Sequence, residues 1–110
     1  MAGGNSGDGI EVNSHCQIVG NTCCYNGPSA AAGAGIHALG GTNRIDSNLV
    51  TGNDWGVRVD VAGNLIIRNS ASGNGTNYFF TGTQSYGPTT FAAGIVTNHP
   101  WANFSFDHIP

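Results

Sequence analysis

The chain has 110 residues, of which 39% are hydrophobic and 8% charged, and its formal net charge is −3. A single domain of this length buries a modest share of its surface, so association with a partner chain would add stability. The three basic residues are scattered, and no apolar run approaches the roughly 18 residues that span a bilayer. We therefore expect neither a nucleic-acid partner nor a membrane partner.

Residues 1–8 show no hydrophobic alternation, and we predict that they form a flexible N-terminal tail. They also lack the basic and apolar regions of a signal peptide. From residue 9 onward, apolar and polar residues alternate with a period of two, as at Ile10 and Val12. Residues 9–80 are therefore predicted to form short β-strands.

A repeat organises these strands. Residues 35–53, GIHALGGTNRIDSNLVTGN, align at an offset of 21 with residues 56–74, GVRVDVAGNLIIRNSASGN, and an imperfect copy begins at Gly9. A period of this size indicates a solenoid whose coils stack on one another. We predict an all-β fold, a short right-handed parallel β-helix of about three coils of ~21 residues, right-handed because parallel crossovers strongly prefer that hand. The expected inward ladders are Ile10–Ile36–Val57 and Ile18–Ile45–Ile66.

Asparagines recur at the corners of the predicted coils. In register they can bond to each other and to turn backbone groups, and asparagine tolerates the left-handed conformation that such corners need. We assign them a structural role in preference to glycan contact. The two predicted ladders are Asn21–Asn48–Asn69 and Asn26–Asn53–Asn74.

Two segments depart from the repeat. Residues 27–34 lengthen one coil and are predicted to be an inserted loop. After residue 80 the clean period is lost, and residues 81–110 are predicted to form an aromatic C-terminal cap or arm that covers the end of the solenoid or a neighbouring chain. Within this segment, Trp101 is a candidate platform for stacking a sugar, although packing is the commoner role of a terminal aromatic residue.

Three cysteines, Cys16, Cys23 and Cys24, fall in the first coil. The adjacent pair is poorly shaped for an ordinary disulfide. By register, Cys23 occupies a core position and is predicted to be a small buried residue. Zinc prefers four ligands at finger-like spacing and only His15 lies nearby, so we expect no metal site and no cofactor.

Register places Glu11, His37 and Arg58 in one outward-facing column, with Asp60 two residues beyond Arg58. This column can act on an acidic glycan, with His37 or Glu11 as general base and Arg58 neutralising the substrate carboxylate. The alternative is a surface ladder of compensating charges, which contributes little energy. Asp60 and Trp101 are the candidate binding residues. No pair of acids with a glycosidase separation can be read from the repeats.

The repeats, together with NYFFTGTQSYGP and HPWANFSF further along, resemble bacterial right-handed parallel β-helix proteins of the pectate-lyase-like superfamily. The resemblance covers residues 9–80 and extends less closely into the C-terminal segment. It implies the right-handed fold and favours an extracellular or cell-surface location. It selects no activity, because the superfamily includes polysaccharide lyases, hydrolases, epimerases and phage tailspikes. No DPHD-like epimerase motif is present.

The outward positions of the predicted second strands carry Val19, Leu65 and Ile67, interrupted in the middle coil by Arg44 and Asp46. An apolar strip with an opposite-charge pair at its centre is typical of a self-complementary interface. We therefore predict a homo-oligomer. A trimer is favoured over a dimer, partly because the tailspikes that this chain resembles in fold associate in threes.

Two hypotheses about function follow. The first is a non-catalytic structural or glycan-binding β-helix that self-associates, favoured by the few coils, the low charge and the absence of a catalytic motif. The alternative is a small polysaccharide-processing enzyme, similar to a lyase, hydrolase or epimerase, that acts on an acidic glycan through Glu11, His37 and Arg58.

Overall fold

The computed structural model describes residues 1–27, 33–91 and 99–106. These residues form strands and turns, and among them no helix has the length and hydropathy needed to cross a bilayer. The strands in chain order are β1 (Ala2–Gly3), β2 (Ile10–Val12), β3 (Gln17–Val19), β4 (Thr22–Cys24), β5 (Ala34–Ala38), β6 (Arg44–Asp46), β7 (Leu49–Thr51), β8 (Trp55–Val59), β9 (Leu65–Ile67), β10 (Ser70–Ser72), β11 (Thr76–Phe80), β12 (Ser85–Tyr86), β13 (Thr89–Phe91) and β14 (Asn103–Ser105).

The strands pair into three parallel sheets because each new turn of the chain lays its strands beside those of the turn before. The first sheet has the order β2-β5-β8-β11, the second β3-β6-β9-β12 and the third β1-β4-β7-β10-β14-β13. This all-β arrangement is that of stacked parallel layers, as in a parallel β-helix. The predicted parallel pairing of successive repeats is confirmed.

The two predicted inward ladders lie in the core, together with buried residues of the third sheet and a second column of the first. Ile36 pairs with Ile10 on one side and Val57 on the other, and Ile45 pairs likewise with Ile18 and Ile66. All of these side chains are buried except that of Ile10, which is partly buried at the end of its ladder. Cys23 is also fully buried, as predicted, and burial raises the pKa of its thiol to about 11.

Asparagine ladders run along the corners between sheets. At each step, one side-chain oxygen accepts both the backbone N–H and the side-chain amide of the asparagine in the preceding turn, as Asn69 does for Asn48 at 2.9 and 3.0 Å. Both predicted ladders are present. A third, unpredicted ladder joins Asn43, Asn64 and Gln84. Within the described residues, every buried side-chain nitrogen and oxygen has a hydrogen-bond partner.

At the corners of the repeats, the left-handed residue is the one directly before the asparagine. The prediction had associated this conformation with the asparagines themselves. Ser47 and Arg68 have φ values of 60° and 56°, and each stands directly before a ladder asparagine. The chain needs a positive φ to turn the corner, and the following asparagine then points inward to bond.

The predicted N-terminal tail is partly a strand. Ala2 and Gly3 pair in parallel with Cys23 and Cys24 of the third sheet. Asn5 continues one asparagine ladder, because its backbone N–H and side-chain amide both donate to Asn26. Residues 2–5 are thus hydrogen-bonded to the coil that contains β4. The prediction that residues 1–8 form a flexible tail is corrected for these residues.

The repeat register holds up to residue 80 and is lost in the C-terminal segment. In the first sheet, Tyr78 and Phe80 extend the columns of Val57 and Val59, as the 21-residue offset predicts. In the third sheet, however, β14 lies against β10, and the earlier strand β13 lies outside β14. Residues 92–98, which join the two strands, lie outside the described residues, as do residues 28–32 of the predicted inserted loop and residues 107–110.

Candidate functional site

The first sheet carries the predicted column of charged residues. Strand pairing places Glu11 opposite His37 and His37 opposite Arg58, so the register inferred for these three residues is confirmed. Asp60 follows the end of β8, where its backbone N–H donates to Ala38. The proposed roles of these residues in catalysis or binding stay hypotheses.

His37 is the centre of this cluster, and both of its ring nitrogens meet carboxylates. Its Nδ1 lies 2.8 Å from Asp8 Oδ2 and 3.6 Å from Glu11 Oε1, and its Nε2 lies 2.8 Å from Asp60 Oδ2. The imidazole is largely buried, Asp60 is partly exposed and Glu11 is about half exposed. We call Asp8, Glu11, His37 and Asp60 the His37 cluster.

The ionisation of the His37 cluster reflects this crowding. Burial alone would lower the pKa of His37, but the hydrogen bonds to Asp8 and Asp60 outweigh it and raise the pKa. Burial would raise the pKa of Asp8, yet the backbone N–H of Ala34 and the imidazole of His37 lower it. The pKa of exposed Glu11 is raised, chiefly because its carboxyl group is hydrogen-bonded to Asp8. Asp8 is therefore the stronger acid of this pair.

Arg58 is engaged within its own chain. Its guanidinium carbon lies 4.5 Å from the ring centre of Trp55, and its Nε lies 3.2 Å from Asp60 Oδ1. The stacking contact and the ion pair hold Arg58 beside the cluster and compensate part of its negative charge.

A second surface lies on the outer side of the second sheet. A groove of about 480 Å³ is lined by Leu65, Ile67, Tyr86 and Trp101, and also by Gln84, Ser85 and Gly87. Tyr86 and Trp101 are each about half exposed. The amide of Gln84 is already used, because its oxygen accepts from Asn64 and its nitrogen donates to Val61 and Thr81. We call this the second-sheet groove.

The structure brings Trp101 together with two residues of the predicted oligomer strip. Leu65 and Ile67 line the groove beside Trp101, whereas the sequence had assigned these residues to two separate surfaces. Val19 is half exposed on the same sheet, at the far end of the outward column that passes through Asp46 to Ile67.

Asp46 is a correction to the predicted strip. It was assigned to an outward, self-complementary charge pair, but it is 4% exposed. Arg68 reaches back across the corner to contact Asp46 at 2.6 Å, Arg44 contacts it at 3.0 Å, and Ser47 donates to it at 2.7 Å. The carboxylate is therefore compensated within its own chain and is not available to a neighbour.

The repeat pattern does not assign several residues of these two surfaces. Asp8 lies before the first repeat, in the segment predicted to be a tail, and Trp55 precedes the repeat motif by one residue. Tyr86 and Arg68 were not assigned to any surface. The alternation of strand positions could have placed Arg68 beside Asp46, because one 21-residue step separates Ser47 from Arg68.

The chain matches no protein-family model, no curated protein and no solved structure. The resemblance to the pectate-lyase-like superfamily therefore rests on the repeat and its motifs.

Proposed function

We propose that this chain is a short right-handed parallel β-helix of about three coils, closed by its aromatic C-terminal segment, and that it is a non-catalytic structural protein that self-associates. The observation that carries the proposal is the second-sheet groove, where Leu65, Ile67, Tyr86 and Trp101 lie side by side on one outer face. An exposed apolar surface of this kind usually marks an association site.

The charges around the groove favour the same conclusion. Asp46, the acidic residue at the centre of the strip, is already paired with Arg44 and Arg68 in its own chain. Covering the face with a second copy would therefore bury no uncompensated carboxylate, which would be costly. Two guanidiniums share this one acid, and both are partly exposed, so the one excess positive charge can stay in contact with water. A trimer is favoured over a dimer, following the resemblance to tailspikes.

Sedimentation velocity over a range of protein concentrations tests this proposal. Ile67→Glu places a charge in the groove and should dissociate the oligomer while the β-rich circular dichroism spectrum is retained. The matched control is Leu49→Glu, because Leu49 is also a partly exposed strand residue but belongs to the third sheet. A wild-type chain that is monomeric at micromolar concentration would overturn the proposal.

Glycan binding at the same groove is the second candidate, because an exposed indole can stack on the apolar face of a sugar ring. Ser85, whose hydroxyl could bond to a sugar, lines the same groove as Trp101. An unbiased glycan array tests this candidate, and Trp101→Ala should abolish any signal. Trp55→Phe is the matched control, because Trp55 contacts Arg58 on a different sheet. Sedimentation of Trp101→Ala distinguishes the two candidates. A glycan-binding monomer would keep its monomeric mass, whereas an oligomer held together at the groove would dissociate.

The enzymatic alternative rests on the three carboxylates that surround His37. A polysaccharide lyase generates an unsaturated product that absorbs in the ultraviolet, so incubation with acidic glycans offers a direct assay. Activity that disappears in His37→Gln and persists in His15→Gln would favour this alternative.

A further inference from the structure

The His37 cluster gathers more negative charge than its own cations can neutralise. Three carboxylates, Asp8, Glu11 and Asp60, face one imidazole and the guanidinium of Arg58. Asp8 and Glu11 both approach Nδ1 of His37, at 2.8 and 3.6 Å, so two carboxylates converge on the same ring nitrogen. The fold therefore holds an excess of oxygen ligands beside one nitrogen ligand.

The two nitrogens of His37 have different surroundings. Nε2 lies 2.8 Å from Asp60, and Asp60 is held in turn by Arg58. When Nε2–H donates to Asp60, the lone pair of Nδ1 points toward Asp8 and Glu11. Histidines that bind metals almost always donate their other N–H to a carboxylate or a carbonyl group in this way, which fixes the tautomer and strengthens the ligand.

Asp8 is also held in place, by a hydrogen bond to its other carboxylate oxygen. Its Oδ1 accepts the backbone N–H of Ala34 at 2.7 Å, which leaves Oδ2 directed at Nδ1 of His37. One ligand atom each from Asp8, Glu11 and His37 lies within 4.8 Å of the others. Metal–ligand bonds of about 2.1 Å require ligand atoms roughly 3–4 Å apart, and the exposed side chain of Glu11 is free to close the remaining distance.

We propose that Asp8, Glu11 and His37 form a binding site for a first-row divalent cation, with His37 Nδ1 and one oxygen of each carboxylate as ligands. Asp60 is a positioning residue that orients the imidazole. Imidazole and carboxylate ligands suit zinc, cobalt and manganese. The expectation of no metal site was based on the cysteines and His15, none of which belongs to this group of ligands. Binding displaces any proton from Nδ1 and ties the N-terminal segment to β2 and β5.

Titration of the full-length chain with Co²⁺, followed by visible absorption, tests this site. We expect saturation at one equivalent per chain and no thiolate-to-metal charge-transfer band. Glu11→Gln should weaken binding at least about 10-fold, and because the Glu11 side chain is about half exposed this variant should keep the fold. Asp60→Asn should weaken binding about 10–100-fold, which is typical when a partner of a metal-binding histidine is lost.

His37→Gln and Asp8→Asn should abolish the one-equivalent site. His15→Gln is the control, because His15 is an exposed imidazole outside the cluster. A charge-transfer band would assign the metal to the cysteines and overturn the proposal. So would unchanged affinity in Glu11→Gln, or the absence of binding at millimolar Co²⁺.

Discussion

Asp46 is a buried carboxylate whose charge is balanced by its own chain. The hydrogen bond from Arg68 is the largest of the effects that hold its pKa well below the usual range, and the hydrogen bonds from Ser47 and Arg44 act in the same direction against burial. Because Arg68 follows β9 and Asp46 ends β6, this ion pair joins two successive turns of the chain.

The depressed pKa of Asp46 predicts a pH dependence. A carboxylate whose folded pKa lies below its unfolded value of about 3.9 contributes stability above that value, and the contribution is lost as the pH falls toward the folded pKa. The difference in free energy of unfolding between wild type and Asp46→Asn should therefore be largest near neutral pH and shrink below about pH 4. Urea denaturation at several pH values measures it, and a difference that is independent of pH would contradict the assignment.

The asparagine ladders hold the corners of the turns together through side-chain and backbone contacts. Asn69 accepts from Asn48, and its amide donates to Ile45 and Asn103 at 3.0 and 3.1 Å. Because Asn69 is fully buried, its partners have no access to water when it is removed. A ladder position in the middle of the stack therefore carries more energy than one at the end.

Asn69→Ala should lower the free energy of unfolding by about 3 kcal/mol or more, since each buried polar group left without a partner costs roughly 1–3 kcal/mol. Asn21→Ala is the matched control at the end of the same ladder, where the side chain is partly exposed. Its cost should stay near about 1 kcal/mol, the usual net contribution of one hydrogen bond. Urea denaturation measures both losses of unfolding free energy. Equal losses at the two positions would contradict the inference that a ladder position in the middle of the stack contributes more than one at the end.

β1 is a short strand at the edge of the third sheet, and removing it should have a measurable effect on hydrogen exchange and stability. A chain lacking residues 1–5 loses the pairing with Cys23 and Cys24 and the bond from Gly27 to the carbonyl of Asn5. We expect faster hydrogen exchange at the Gly27 amide and a loss of about 1–3 kcal/mol, a few hydrogen bonds' worth at an exposed edge. Unchanged exchange at Gly27 would restore the description of residues 1–8 as a tail.

The sequence predicts the strands from residue 9 to residue 80 because their register repeats at a fixed offset and one apolar face must be buried. It does not predict β14. The 21-residue offset from Asn69 reaches Thr90, and the threonine side chain has no amide group to continue the ladder. Asn103 takes that place from 34 residues away. The column of Glu11, His37 and Arg58 follows from register, but Asp8 does not, since it comes from outside the repeat.

The three outer faces of the molecule differ in character, and this difference bears on how the protein is used. The first sheet presents the His37 cluster, the third sheet presents mainly threonine and serine, and the second sheet presents the groove beside Trp101. Both polar faces can stay in water. The second-sheet groove gains most from being covered, because its half-exposed aromatic rings lie next to apolar strand residues.

Trp101 can report directly on that association. The chain has two tryptophans, so Trp55→Phe leaves Trp101 as the single tryptophan, which can be excited selectively at the red edge of the protein absorption band. If the groove is the interface, the emission of this variant should shift to shorter wavelength as protein concentration rises, because the indole passes from water into an apolar contact. The shift should follow the same concentration dependence as the mass measured by light scattering, which should approach three times the 11.3 kDa chain mass for a trimer. Adding Ile67→Glu to this variant should abolish both changes. An oligomer that forms without any change in Trp101 emission would assign association to another face and leave the groove free for a sugar.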